Sequence, residues 1–384
     1  MIGDREIRFT NHANPDSPTA NLPSPVTTHP KSPIPNRIRA AAVGVALLAA
    51  QPLAREADVL QSIAAIPAHL SGQFREAVGF EQADSGEYFV FDRRSHAVFS
   101  IDAQKTTVRE VVKIGAEQGR IIDPTAFAVD ADGTLAVADA PNGRERIQIF
   151  TPGGSHLGGF MLPGRVEPRV VLNTQILSGI ASMQFTGKTI LISQPETGAL
   201  ITEYGWNGAA LRSIGRLRVT AHEDDRAVHL AMNSGIPIAA ADGGCWFVFQ
   251  TGAPLLRRYD REGRLLFERH IEGRELDDVL ARQPTTWPKR RLGDGLLPIV
   301  SPAVRTAAVD RAGRVWIALV APFTYVFDRD GDKVRTVQFR GAGLVAPDSL
   351  FFTKSGTLLV TPGLYEFAVE AGKAGKVPLP PVQP

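Results

Sequence analysis

The sequence has a single cysteine, Cys245, among its 384 residues. An internal disulfide needs two cysteines and a CxxC metal site needs at least a pair, so both are excluded. Cys245 lies in the apolar segment GGCWFVF. Because a nucleophilic thiolate needs an electropositive and accessible setting, this position predicts a buried, unreactive thiol.

Excess charge of either sign is also absent. Lys and Arg together number 42, Asp and Glu number 40, and the formal net charge is +2. Nucleic-acid binding usually requires a strongly basic surface, so this balance argues against a nucleic-acid partner. Nothing in the sequence indicates a cofactor, and we expect a monomer.

Long hydrophobic runs are missing as well. The run from Ala40 to Ala50 is shorter than the roughly 20 residues that span a bilayer, so no transmembrane span is expected. Arg37 and Arg39 precede it and small residues follow to Ala54, so residues 37–54 resemble a secretory signal peptide and predict export to the periplasm or the extracellular space. The alternative is a buried or surface apolar helix.

Both ends of the chain have compositions that disfavour a packed core. Residues 1–36 are rich in Pro, Asn, Ser and Thr, which predicts a disordered N-terminal extension. The late position of the signal would be explained by a downstream translation start, for example at Val26. Residues 371–384 are rich in proline and predict an extended, flexible tail.

A repeat fills the rest of the chain. In each copy an apolar run leads to a turn glycine, a second apolar strand, a loop and further strands. There are six copies, with turn glycines at Gly86, Gly133, Gly187, Gly244, Gly313 and Gly356. Four short strands in each unit of about 40–50 residues are typical of a β-propeller blade.

The clearest copy is DPTAFAVDADGTLAVADAPNGRERIQIF, residues 123–150. It resembles an NHL repeat, in which an Asp-x-Asp-Gly turn is followed by a strand and then an Ala-Asp-x-x-Asn-x-Arg-Ile segment. The resemblance implies an all-β, six-bladed β-propeller over residues 59–370, with four antiparallel strands per blade. The last copy supplies only three strands, so a strand from residues 59–76, with AIPAHLSGQF as the candidate, should close the ring.

Polar side chains between the second and third strands are candidates for ligand contact. They are Asp92 and Arg94 in the first copy, Asp139, Asn142 and Arg146 in the second, and Gln194 in the third. The alternative is structural, because a carboxylate can accept hydrogen bonds from loop amides and an arginine can bridge them.

Three long connections between repeats, residues 161–178, 216–236 and 271–304, should lie on one face, where binding usually occurs. In the last one, the spacing of Leu276, Val279 and Leu280 predicts a short helix. Trp287, Arg290 and Arg291 then offer an aromatic and anion-binding rim. His222, Glu223 and His229 are weak metal-ligand candidates; the alternative is a solvated polar loop.

Two functions fit these observations. The sequence favours an exported, non-enzymatic scaffold that binds a protein, peptide or glycan through its loop face. The alternative is a propeller enzyme of the lactonase, lyase or sugar-dehydrogenase type that acts on a small molecule at the channel mouth. Titratable side chains that converge at the mouth of the central channel would favour the alternative.

Overall fold

The computed structural model describes residues 57–162, 170–172, 175–177, 182–292 and 295–369. The predicted N-terminal extension (1–36), signal peptide (37–54) and tail (371–384) lie outside the described residues. Among those residues, α-helix is confined to Ala68–Ser71, Arg226–Met232 and Arg274–Ala281. None of these helices is long and apolar enough to cross a membrane.

Strands dominate the fold, and four antiparallel sheets follow one another along the chain. Sheet 1 contains Ala77–Gln82, Tyr88–Asp92, Ala97–Ile101 and Val108–Ile114, with a short added strand Arg120–Ile121. Sheet 2 contains Ala126–Val129, Leu135–Asp139, Arg146–Phe150 and His156–Met161, and sheet 3 contains Met183–Phe185, Thr189–Ser193, Ala199–Gly205 and Ala210–Arg216. Sheet 4 contains Gly235–Ala239, Cys245–Phe249, Leu255–Tyr259 and Leu265–His270. We call the first strand of each unit its inner strand. The prediction of an all-β fold is confirmed.

A nine-stranded sheet follows sheet 4. Its first half contains Val304–Val309, Val315–Leu319, Thr324–Phe327 and Lys333–Arg340, and its second half contains Ser349–Phe352, Thr357–Thr361 and Tyr365–Ala368, with Asp58–Ala65 between the halves and Leu344–Val345 at the side. Two further hairpins, Val170–Leu172 with Gln175–Leu177 and Lys289–Leu292 with Gly295–Pro298, lie in the long connections.

The strand Asp58–Ala65 connects the two halves of the nine-stranded sheet. Asp58 to Gln61 pair in parallel with Val337 to Arg340, and Ser62 to Ala65 pair antiparallel with Phe367 to Tyr365. An N-terminal strand therefore completes the last unit, as predicted. The strand lies within the predicted residues 59–76 apart from Asp58. The candidate AIPAHLSGQF is wrong, because only its first residue, Ala65, belongs to the strand, and Ala68–Ser71 form a helix instead. Pro67 at the helix start and Gly72 at its end favour this short helix.

Apolar side chains hold the sheets against one another in sequence order. Separate buried clusters join sheet 1 to sheet 2, sheet 2 to sheet 3, sheet 3 to sheet 4 and sheet 4 to the first half of the nine-stranded sheet. Another fills the nine-stranded sheet, and a last one returns from its second half to sheet 1. Because strands in the middle of a sheet have neighbours on both faces, they are buried along their length, as in Tyr88–Asp92. The result is a β-propeller-like arrangement.

The turn after each inner strand requires a residue whose backbone is in the left-handed conformation, with a positive φ. Gly133 adopts it in sheet 2 with φ of 87°. In sheet 4 the residue is Gly243, with φ of 86°, and not the predicted Gly244. The reason is the position of the turn: the Gly243 amide donates to the Ala240 carbonyl, whereas the Gly244 amide is held by the Asp242 carboxylate at 3.0 Å.

The long connections contact one another on the side of the ring where inner strands begin, which we call the loop face. The predicted helix is confirmed as Arg274–Ala281, with Leu276 fully buried against sheet 4 and the nine-stranded sheet. Helix Arg226–Met232 packs on the 271–304 connection through a small apolar cluster. The hairpin in 161–178 also approaches strand Gly295–Pro298.

Candidate ligand-binding cavity

A cavity of about 630 Å³ runs between the inner strands of all the sheets. Phe127, Phe185, Ile238, Leu350 and Phe351 are among the apolar side chains of its wall, and polar groups form a comparable part of the lining. A cavity of this size is large enough for a small molecule, whose orientation the polar groups of the wall would set.

Three of these polar groups lie together at the loop-face end. Arg305, the second residue of its inner strand, donates from Nη1 to Asp348 Oδ1 at 2.6 Å, and Asp348 precedes the next inner strand. Gln250 directly follows the second strand of sheet 4, and its Nε2 donates to the Arg305 carbonyl at 3.0 Å. All three line the cavity. Topology brings them together, because both inner strands begin at this end.

Two atoms of this group lack hydrogen-bond partners. Gln250 Oε1 and Arg305 Nε are both buried, and neither has a partner within the described part of the chain. The side-chain amide orientation of Gln250 is fixed by its bond to the Arg305 carbonyl, which only the amide nitrogen can make. An unmade hydrogen bond of this kind costs about 1–3 kcal/mol.

Two other polar side chains line the wall farther along. Glu81 Oε2 accepts from the Val129 amide at 2.7 Å, and Gln184 Oε1 accepts from the Ala239 amide. Each side chain therefore accepts a hydrogen bond from a backbone amide of the next inner strand. That amide lies at the edge of its sheet, where no neighbouring strand pairs with it. Burial raises the pKa of the Glu81 carboxyl from its ordinary 4.5 to about 8, against the opposing effect of the Val129 amide.

The predicted residues Asp92, Asp139 and Arg146 make structural contacts. Asp92 accepts from the amides of Arg75, Glu76 and Ser95 at 2.6–3.1 Å, and Asp139 accepts from the Ile122 amide at 3.1 Å. Asp139 also holds Arg146 through Nε and Nη2 at 2.9 and 2.6 Å. Both carboxylates thus tie the connection entering a sheet to the end of its second strand.

The other predicted binding residues occupy different places. Gln194 is buried and accepts from the Tyr204 hydroxyl at 2.6 Å. Trp287 is 9% exposed and packs on Val228, Ala231 and Val300, away from the cavity wall. Four predicted residues lie on the exposed surface: Arg94, Asn142, Arg290 and Arg291.

The weak metal-ligand candidates form a hydrogen-bonded loop. Trp287 Nε1 lies 3.3 Å from His222 Nε2, so this nitrogen accepts from the indole. Thr220 links the other two, through its hydroxyl 2.8 Å from His229 Nδ1 and its amide 2.7 Å from Glu223 Oε1. Within the described ranges, no three His, Cys, Asp or Glu side chains are grouped to hold a metal ion.

Cys245 is 1% exposed, as predicted. Burial raises the pKa of its thiol to about 12. The side chain therefore remains protonated at neutral pH and contributes to the apolar contact between sheets 3 and 4.

The cavity residues were not found by sequence reasoning, which followed the loop after the second strand. The signal was nonetheless present. Glu81, Gln184 and Arg305 are polar residues within inner strands, and a polar side chain at a half-buried strand position needs a hydrogen-bonding reason.

Comparison with known proteins gives only distant likenesses. No protein-family model matches the sequence, and a search of curated proteins found no match. Among solved structures the chain is similar to a streptogramin B lyase (11% identity, TM-score 0.45, covering 75% of this chain and 91% of that one). It is also similar to a gluconolactonase from Xanthomonas campestris (16%, 0.43, 77% and 86%) and to the WD40 repeats of RRP9 (11%, 0.43, 79% and 90%). None of these likenesses assigns an activity to this chain.

Proposed function

We propose that the protein is a six-bladed β-propeller, built from NHL-like repeats, that binds a small molecule in its central cavity. Each half of the nine-stranded sheet counts as one blade, with Asp58–Ala65 as the outer strand of the last. Sheets 1 to 4 supply the other four. An experimentally determined structure that shows a different number of four-stranded units around the axis would contradict this count.

The observation that carries the binding proposal is the cluster of polar side chains at the loop-face end of the cavity. Titratable side chains converge there, since Arg305 and Asp348 come from neighbouring units, and the Glu76–Arg93 pair lies at the same end. A cavity whose end holds charged and amide side chains suits a small molecule that carries a polar group.

The test uses 1-aminoanthracene, a neutral aromatic fluorophore whose emission rises in apolar pockets. We expect saturable binding by the wild-type protein and none by Thr306→Phe, because Thr306 lines the cavity on its inner strand and a ring there fills the space. Ser213→Phe is the matched control, because Ser213 is exposed on an outer strand. Thermal melts establish that both variants are folded. Equal binding by wild type and Thr306→Phe would exclude the cavity as the site.

A second candidate is the binding of a protein, peptide or glycan on the loop face. The observation that favours it is the hairpin Lys289–Leu292 with Gly295–Pro298, which exposes Arg290 and Arg291 and leaves Leu296 60% exposed. Screening of peptide and glycan arrays tests it, with Arg290→Ala/Arg291→Ala as the variant. Loss of array binding with unchanged 1-aminoanthracene binding would support this second surface.

A further inference from the structure

Two polar side chains of the cavity wall have the same structural task but differ in chemistry. Glu81 Oε2 accepts from the Val129 amide, and Gln184 Oε1 accepts from the Ala239 amide. A neutral side-chain amide is therefore enough to bond the edge of the next inner strand. A carboxyl group in such a setting costs more, because burial penalises its ionised form. The acid at Glu81 exceeds what the fold requires.

The Glu81 carboxyl group can also take a further partner. Its second oxygen, Oε1, makes no hydrogen bond with any described residue and is not a fully covered atom, so it can be reached from the cavity that Glu81 lines. No charged side chain acts on the pKa of Glu81, which burial raises and the Val129 amide lowers. The carboxyl group is therefore open to a ligand on one oxygen and held by the protein on the other.

The remaining charged groups of the cavity do not neutralise Glu81. The charged residues that line it besides Glu81 are Arg93, Arg305, Arg311, Asp310 and Asp348. Both aspartates hold ion pairs with arginines, Arg93 is paired with a glutamate outside the wall, and Arg311 is exposed. Among the described residues, Glu81 is the one acid of the wall whose counter-ion the protein does not supply.

Aromatic rings lie on the same face of the strand as this carboxyl group. Phe127 Cδ1 is 3.1 Å from the position that a Cβ at Gly79 would occupy, and Gly79 shares its strand face with Glu81 two residues later. Phe127 also precedes Val129, the partner of Glu81, by two residues. Its ring stacks on that of Phe91 with centroids 5.5 Å apart, and both rings line the cavity. Because aromatic faces attract cations, this setting favours a positively charged group.

We propose that Glu81 is the counter-ion for an ammonium group on an apolar ligand that occupies the cavity. The ammonium donates to Glu81 Oε1, and the apolar body lies against the aromatic and aliphatic side chains of the wall. The ligand-free carboxyl is mostly protonated at neutral pH, since its pKa is about 8, and the incoming cation favours the ionised form. The carboxyl proton then passes to the solvent. This inference rests on the proposed function of the cavity and adds the chemical class of the ligand.

The test compares three probes that share one apolar body: 2-naphthylmethylamine, 2-naphthylmethanol and 2-acetonaphthone. Isothermal titration calorimetry of the wild-type protein at about pH 7 should show that the amine binds about tenfold or more tightly than either neutral probe, because only the amine forms a charged hydrogen bond with Glu81. Glu81→Gln should reduce this preference to less than about threefold. Gln184 shows that glutamine can bond an edge amide, so this variant should fold. Glu110→Gln, at an exposed position of an outer strand, should retain the preference.

Proton release gives a second measurement on the same samples. Titrations in buffers of different ionisation enthalpy should show that the amine displaces roughly one proton from the wild-type protein at about pH 7 and markedly less from Glu81→Gln. The alcohol, which carries no charge, should displace none from either protein.

Equal binding of the three probes, tighter binding of a neutral probe, or an amine preference that Glu81→Gln retains would overturn the ammonium inference. Equal proton release by wild type and Glu81→Gln would overturn it as well. If 1-aminoanthracene still binds in those cases, the cavity function stands. If neither 1-aminoanthracene nor any naphthalene probe binds, the proposed function itself is contradicted, and the ammonium inference with it.

Discussion

Single buried carboxylates hold several connections of this protein in place, and Asp139 is one of them. It bonds the Ile122 amide and two nitrogens of Arg146, while Arg146 also donates to the carbonyls of Ala116 and Arg120. The pair thus holds one connection at several points. All of these contacts lie within the fold, as the structural interpretation of these residues expects.

Replacing Asp139 should therefore reduce stability strongly. In Asp139→Ala the Arg146 guanidinium, whose side chain is 10% exposed, loses its counter-ion, and we expect the free energy of unfolding to fall by about 3–5 kcal/mol. Urea unfolding followed by circular dichroism measures it. Asp278→Ala is the control, because Asp278 and its partner Arg282 are both largely exposed, and little change is expected. A loss no larger than that of the control would mean that Arg146 finds equivalent partners.

Glu81 should give the stability of the protein a particular pH dependence. Burial raises the pKa of Glu81 in the folded state to about 8, above its ordinary 4.5, so between these values the folded protein binds more protons than the unfolded chain. The contribution of Glu81 to the free energy of unfolding should therefore fall as pH rises from about 4.5 to 8.

The measurement is urea unfolding of wild type and Glu81→Gln at several pH values in that range. The wild-type curve should decline with rising pH more steeply than the Glu81→Gln curve, because glutamine does not ionise. Glu110→Gln, at an exposed position of an outer strand, should follow the wild type. Parallel curves for wild type and Glu81→Gln would show that Glu81 ionises normally.

Among the strands, Asp58–Ala65 differs from the others because it belongs to both halves of one sheet. Leu60 is 5% exposed and packs in the apolar cluster of the nine-stranded sheet, whereas Ile63 on the same strand is 60% exposed. The two side chains therefore allow a matched comparison within one element.

Leu60→Asp should destabilise the protein by about 3 kcal/mol or more, because it places a charge among buried apolar side chains. Ile63→Asp should change stability by no more than about 0.5 kcal/mol. Thermal melts and size-exclusion chromatography measure the effect, and aggregation of Leu60→Asp alone is the expected accompaniment of an exposed sheet edge. Similar melting temperatures for the two variants would mean that this strand contributes little to the ring.

Patterns within a strand were enough to predict most of these elements. Largely apolar runs such as YFVFD, each preceded by a turn glycine, predict strands, because a short run bounded by turn residues is a local feature of the sequence. Contacts between distant segments leave no such pattern. The sequence predicted that Trp287 contacts a ligand, because its packing partners Val228 and Ala231 lie in another connection and leave no pattern near it. The Arg305–Asp348 pair likewise depends on two units that are brought together only by the ring.

The prediction for the molecule as a whole concerns the compartment in which the protein is located. We predict export from the layout of residues 37–54, in which basic residues precede an apolar run and small residues. Mass spectrometry of the N-terminus in the native host should find a mature chain that starts between about Gln51 and Asp58. An intact Met1 in the cytoplasmic fraction would contradict export.

The shared strand also sets the order in which the protein can finish folding during translation. Asp58–Ala65 leaves the ribosome early, yet its antiparallel partner Tyr365–Ala368 follows some 300 residues later, which takes about 15–60 s at typical elongation rates. Throughout that interval the first strand has no native partner on that side. A product that stops before Tyr365 leaves this edge unpaired and should be a preferred substrate for proteases.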